Sequence, residues 1–139
     1  MSEQQNVVLV QTALAAFGRG DIDAILDHCT SDCEFSCPGP AIIPYTGTRK
    51  GRAEIQTYFD QLMGTQSNAN LTIDDFVAQD DKVVAIGRYT ATINATGKSI
   101  DSPVVLTFKV QDGKIARHMV VGDTAALAAS YTGSAAAAS

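Results

Sequence analysis

Asp112-Gly113-Lys114-Ile115-Ala116-Arg117-His118-Met119-Val120-Val121-Gly122-Asp123-Thr124 decides how this chain is read. Asp112-Gly113 separates two apolar, β-branched runs, and an Asp-Gly pair readily takes the positive-φ conformation of a tight hairpin turn. Asp123 stands just before Thr124-Ala125-Ala126-Leu127, where a carboxylate can accept from the free amides that open a helix. The stretch therefore predicts a strand, a tight turn, a second strand and a capped helix. Strict alternation puts His118 on one face with Ala116, Val120 and Gly122, a small apolar set that suits the wall of a hollow.

The same period of two extends upstream. It predicts strands at about Leu71–Gln79, Lys82–Asn94, Ser99–Gln111 and Lys114–Val121, with turns at Asp80-Asp81, Asn94 to Gly97 and Asp112-Gly113. Connections this short imply an antiparallel meander. The N-terminal third is helical instead. Val7, Val10, Leu14 and Phe17 fall at helical spacing, so a first helix is expected from Gln5 to Phe17, stopped by Gly18. Asp21 caps a shorter second helix that turns Ile22, Ile25 and Leu26 inward. Cys33 to Cys37 reads as extended, ending at Pro38. Pro38 to Lys50 reads as a long loop holding three of the four prolines. A third helix begins near Gly51, with Ile55, Tyr58, Phe59 and Leu62 as its apolar stripe. Gly64 to Asn70 is polar and loop-like. Asp123 to Tyr131 closes the domain, 1–131, and 132–139 is an Ala/Ser-rich C-terminal tail.

Helices gathered on one side of an antiparallel sheet define an α+β domain. A curved antiparallel sheet wrapped by N-terminal helices would form a cone-shaped pocket. The composition, 45% hydrophobic and 18% charged over 139 residues, suits one globular domain with a real core. A net charge of −5 argues against nucleic acid as a partner. No apolar run approaches a membrane span, and the polar start Met1-Ser2-Glu3-Gln4-Gln5-Asn6 does not read as a secretory signal, so a cytoplasmic location is expected. Three cysteines suggest no disulfide framework. Cys29, Cys33 and Cys37, with His28 beside them, match no standard zinc or iron–sulfur spacing, so no metal is expected. With no phosphate-binding glycine loop, no organic cofactor is expected either.

Three stretches carry a family resemblance. They are Phe17-Gly18-Arg19-Gly20-Asp21-Ile22-Asp23-Ala24-Ile25-Leu26, Gly51-Arg52-Ala53-Glu54-Ile55-Gln56-Thr57-Tyr58-Phe59, and Val104 to Ile115. Together with Asp123 before a terminal helix, the pattern resembles the nuclear transport factor 2-like superfamily, in its SnoaL-like branch, over roughly residues 5 to 130. The resemblance implies the cone fold of ketosteroid isomerase, limonene epoxide hydrolase and the SnoaL-like polyketide cyclases. It also implies a homodimer through the sheet face. The catalytic acids of those enzymes are not all present. The base that SnoaL-like cyclases place two residues after a strand His falls at Val120, and the epoxide hydrolases' Asp falls there as well. Their partner Arg and Asp on an earlier strand would lie near Arg88 and Tyr89, where the Asp is missing. The isomerase's base before a Pro corresponds to Cys37, and its oxyanion acid to Val105 or Leu106.

His118 is the candidate general acid/base, since an imidazole titrates near neutral pH. Glu34, Ser36, Cys37, Tyr45, Tyr58, Phe59, Tyr89, Val120 and Gly122 are the expected pocket lining, and Asp123 is the structural cap. Alternation sets Glu34 and Ser36 opposite Phe35, so a Phe35 in the core would leave Glu34 solvated. Arg88 reads as an exposed strand charge as readily as a contact to an anionic group, Asp101 reads as turn chemistry, and Arg49, Lys50 and Arg52 read as a small solvated basic cluster.

Two functional classes follow. One is a cofactor-independent enzyme, an isomerase, cyclase or hydrolase, that moves a proton on a small hydrophobic metabolite held in the cone. The other is a non-catalytic ligand-binding or dimerisation module. An enzyme predicts a polar-tipped cavity in which His118 reaches Tyr89, Glu34 or water. A binder predicts apolar walls with His118 tied to a fixed partner.

Overall fold

The structure is a computed structural model that describes residues 2–133. Helix α1 (Glu3–Gly18) opens on a reciprocal cap: Gln5 N–H donates to Ser2 Oγ at 3.1 Å, and Ser2 N–H donates to Gln5 Oε1 at 2.9 Å. Asp21 caps α2 (Ile22–Asp27) by accepting from Ala24 N–H at 3.2 Å. Both helices turn their apolar residues, Leu9, Val10, Ala13, Ile25 and Leu26 among them, into one core. Strands β1 (Cys29–Cys37) and β2 (Gly47–Lys50) follow, then α3 (Gly51–Thr65). Four long strands complete the sheet: β3 (Gln66–Gln79), β4 (Lys82–Ile93), β5 (Ser99–Gln111) and β6 (Lys114–Gly122). The chain then enters α4 (Thr124–Ser130). The expected tail, 132–139, lies outside the described residues from 134 onward.

The six strands form one curved, unclosed sheet in the order β2-β1-β6-β5-β4-β3. β3 to β6 pair antiparallel, as a meander does. The meander does not extend to β1, which joins β6 in parallel. Helices α2 and α3 pack against β1, so the chain crosses between them before the four long strands begin. Two segments expected to be loops are strands. β2 carries Thr48, Arg49 and Lys50 on an exposed edge, with no apolar alternation to betray it. β3 starts at Gln66, directly after the last residue of α3, and its first turn of sequence, Ser67-Asn68-Ala69-Asn70, is exposed on both faces. β1 begins at Cys29, four residues before the expected start.

Two irregularities shape the surface over which the helices lie. At the β3–β4 pair the register shifts between Ile73 and Asp75, which bends β3. Gly87 sits opposite this bend, and a Cβ there would lie 1.9 Å from the Thr72 carbonyl oxygen. At the β5–β6 pair Val110 faces Ile115, but Lys109 faces Arg117, so Ala116 is an extra residue in β6. This bulge turns Ile115, His118 and Val120 to the same side. Ala116 therefore does not share the regular inward row with His118, as strict alternation requires. The Asp112-Gly113 turn has both residues at positive φ, 51° and 75°, as a tight two-residue hairpin needs.

Candidate functional site

The helices and the curved sheet enclose a cavity of about 130 Å³. α1 contributes Leu14 and Phe17 to its wall, and α3 contributes Tyr58, Phe59 and Leu62. β5 and β6 contribute Leu106, Phe108, His118, Val120 and Gly122. Among the described residues of the lining there is no lysine or arginine. The wall is built on touching aromatic edges. Phe35 meets Phe59 at 5.8 Å and Tyr58 at 6.2 Å between ring centroids, and Tyr58 meets Tyr45 at 5.9 Å. Edge-to-face packing of this kind holds rings in fixed positions.

His118 sits in this wall between two phenyl rings. It stacks on Phe108 with centroids 4.6 Å apart and planes 23° apart, and meets Phe35 edge-on at 4.8 Å. Its Nδ1 lies 3.2 Å from the Thr107 carbonyl oxygen. A carbonyl can only accept, so Nδ1 carries the proton and donates, and Nε2 keeps its lone pair. Nε2 has no partner among the described residues. Burial among apolar rings holds the His118 pKa down at about 4, and the Thr107 carbonyl opposes that only partly. The imidazole at neutral pH is thus an uncharged hydrogen-bond acceptor.

The tyrosines divide into two groups. Gln66 Nε2 donates to Tyr45 Oη at 2.8 Å and to Tyr131 Oη at 3.0 Å, and the Tyr89 hydroxyl donates to Gln66 Oε1. Tyr131 Oη also lies 2.8 Å from Thr65 Oγ1. Tyr45 and Tyr89 therefore spend their hydroxyls on one another's scaffold. Tyr58 Oη has no partner among the described residues. Burial raises the pKa of all three lining phenols, so each stays protonated at neutral pH. Cys37 lines the cavity as a buried thiol, its pKa pushed up to about 11 by burial, and is no nucleophile at neutral pH.

Cys37, Tyr45, Tyr58, Phe59, Tyr89, Val120 and Gly122 are brought together with His118 at the cavity wall. Asp123 reaches its rim and accepts from Ala126 N–H at 3.0 Å, which caps α4. Glu34 and Ser36 are not part of this wall. They project from the opposite face of β1, because Phe35 and Cys37 take the inward positions and alternation sends their neighbours out. There Ser36 Oγ lies 3.0 Å from Thr48 Oγ1, and Glu34 lies 4.0 Å from both Lys50 and Arg117. The remaining charges are likewise on the outside. Arg88 pairs with Asp101 at 2.6 Å, and Arg52 pairs with Asp27 at 3.0 Å. Cys29, Cys33 and Cys37 are free and buried, and among the described residues no three His, Cys, Asp or Glu side chains are placed to hold a metal ion.

Sequence reasoning missed Gln66, Tyr131 and Phe108. Gln66 lay in a stretch without periodicity. Phe108 is cross-strand from His118 only because of the extra residue at Ala116, since a regular two-residue hairpin would set it opposite Arg117.

A curved sheet with helices across its concave side and an apolar hollow between them is the architecture of the nuclear transport factor 2-like superfamily. Solved structures share it. An NTF2-like protein from Burkholderia xenovorans LB400 is 29% identical, with a TM-score of 0.82 over 95% of this chain and 99% of that one. One from Burkholderia thailandensis E264 is 26% identical, with a TM-score of 0.85 over 96% and 100%. One of unknown function from Burkholderia pseudomallei K96243 is 22% identical, with a TM-score of 0.87 over 96% and 100%. None of the curated proteins matches. Within the superfamily the chain belongs to the SnoaL-like domain family, whose model matches residues 10–118.

Proposed function

We propose that this protein binds a small, uncharged, largely apolar molecule in the cavity between helices and sheet, and holds it without turnover. The observation that carries the reading is the state of His118: an imidazole fixed to the Thr107 carbonyl, wedged between Phe35 and Phe108, in a wall of aliphatic and aromatic side chains. A general base works best with a pKa near the operating pH, and one of about 4 leaves little driving force for proton abstraction at pH 7. The isomerase, cyclase or hydrolase reading is correspondingly less supported. A purely dimerising module would have no use for the hollow.

The test is a thermal-shift screen of small neutral ring compounds, with product analysis of each mixture. Binding raises the melting temperature with concentration, since ligand at about 100 times its Kd adds about 2.7 kcal/mol to stability. A screen in which no neutral ring compound shifts the transition at millimolar concentration overturns the reading. A hit that is converted to product restores the enzyme.

For the assembly we propose a homodimer through the sheet's outer face. In its support, Val77, Ile86, Met119 and Val121 stand there 56%, 40%, 40% and 45% exposed. Val84 and Thr107 bridge Val77 to Met119 in the strand register, and Val105 bridges Ile86 to Val121. Sedimentation equilibrium at micromolar concentration tests it, and a monomer overturns it. We place the protein in the cytoplasm, in keeping with three free cysteines. Among the described residues no helix is long and apolar enough to cross a membrane.

A further inference from the structure

We infer that the cavity selects a neutral, ring-sized molecule that carries a hydroxyl, and that this hydroxyl donates its hydrogen bond to His118 Nε2. The inference rests on the ligand-binding role proposed above and specifies the ligand's chemistry.

Three observations converge on it. First, many of the cavity's polar groups are satisfied from within. Gln66 engages Tyr45 and Tyr89, the Ser102 hydroxyl donates to the Pro103 carbonyl at 2.8 Å, and Asp123 caps α4. Of the groups left without a partner among the described residues of the lining, His118 Nε2 and the Tyr58 hydroxyl stand on the aromatic wall, while Thr124 Oγ1 and the second Asp123 oxygen stand at the start of α4. An acceptor that faces an apolar hollow is poorly solvated, and a ligand donor there satisfies it. Second, His118 Nε2 and the Tyr58 hydroxyl lie on walls joined by Phe35, whose ring touches both Tyr58 and His118. An apolar ring seated among these aromatics can turn its polar edge toward them. A hydroxyl has both a proton for Nε2 and lone pairs for the Tyr58 phenol.

Third, the wall rejects charge. It offers a carboxylate no lysine or arginine, and the acceptor is an uncharged imidazole. An ammonium ion finds, besides this neutral acceptor, only Asp123 at the rim, whose Oδ1 accepts from the Ala126 amide while Oδ2 stays free among the described residues. Burying either ion without a full partner is costly. The volume, about 130 Å³, is comparable to engineered apolar cavities that hold benzene, and so suits a single ring.

The experiment is calorimetric titration of the full chain at pH 7 with four probes of one ring each: phenol, toluene, benzoate and benzylamine. The expected result is that toluene binds, phenol binds about tenfold tighter, benzoate does not bind measurably, and benzylamine binds more weakly than phenol. In His118→Phe, toluene is retained and phenol loses its advantage. Because that variant can fail for reasons of folding, the wild-type protein labelled with 15N-histidine provides an independent reading. Phenol, and not toluene, shifts the His118 Nε2 resonance away from its free-acceptor position. Phenol binding no tighter than toluene, or an Nε2 resonance unmoved by saturating phenol, overturns the inference while leaving the apolar binding site in place. Failure of both neutral probes to bind removes the binding site and the inference together.

Discussion

Lowering the pH tests the environment of His118 without any ligand. Its pKa in the folded protein is about 4, against an ordinary value of 6.5 in an unfolded chain. The folded state therefore refuses a proton that the unfolded state accepts between these two values. Stability rises with pH wherever the unfolded chain binds more protons. His118 thus leaves stability untouched above pH 6.5, removes about 1.4 kcal/mol per pH unit as the pH falls from 6.5 to 4, and removes no more below 4. The full loss is about 3 kcal/mol, an upper figure because the ring retains some solvent contact. This is a sizeable part of the roughly 5–15 kcal/mol that holds a domain folded. The assay is urea denaturation at half-unit steps from pH 7.5 to 4, on the wild type and on His118→Phe. Phenylalanine preserves the packing on Phe35 and Phe108 and has no titration, so the carboxylates common to both proteins cancel in the comparison. The wild type is expected to lose stability faster than the variant between pH 6.5 and 4, and in parallel with it above 6.5. Superimposable profiles would refute the claim that this imidazole is held neutral by apolar burial.

Gly87→Ala places a methyl 1.9 Å from the Thr72 oxygen and 2.9 Å from Ile73 Cα, both backbone atoms of the neighbouring strand. β3 must move off β4 at the bend, at a cost of about 3 kcal/mol, and thermal unfolding should shift down by on the order of 10 °C. A variant that melts with the wild type contradicts the close approach. Gln66→Leu removes the partner of the Tyr45 and Tyr89 hydroxyls. It is expected to cost about 2–4 kcal/mol in urea unfolding, and Tyr45→Phe in the same background should recover part of it, since one stranded hydroxyl is then gone.

The long, half-buried strands were legible because each carries its own period. Val83, Ala85 and Ile93 of β4, and Val104, Leu106, Phe108 and Val110 of β5, turn inward and are buried. The caps were legible for a local reason: Asp21 and Asp123 each satisfy an amide three residues ahead, a relation contained in a few residues. What escaped reading depends on partners far away in the chain. β2 is a strand because Glu34 to Cys37 offers it an edge, and Lys50 and Arg49 say nothing of that by themselves. The parallel junction of β1 with β6 joins strands that one helix and four strands separate along the chain. Gln66 looked like a loop residue, and its importance lies in hydroxyls at positions 45, 89 and 131. For the site, the imidazole was legible as a candidate and the aromatic lining in part. Its protonation state was not, because that follows from the Thr107 carbonyl and two flanking rings.

The surplus residue at Ala116 makes the character of the hollow a matter of counting. Alternation carried without interruption from Ile115 would deliver Arg117 and Met119 inward and consign His118 to the outer surface. Deletion of Ala116 itself would join Ile115 to Arg117 in plain alternation and keep Arg117 outward and His118 inward, whereas flattening the bulge with Ala116 retained would reverse every later side chain. The lining thus depends on the bulge being kept wherever the residue count is kept, and alignments that slide past the offset will equate His118 with a neighbour of the opposite orientation.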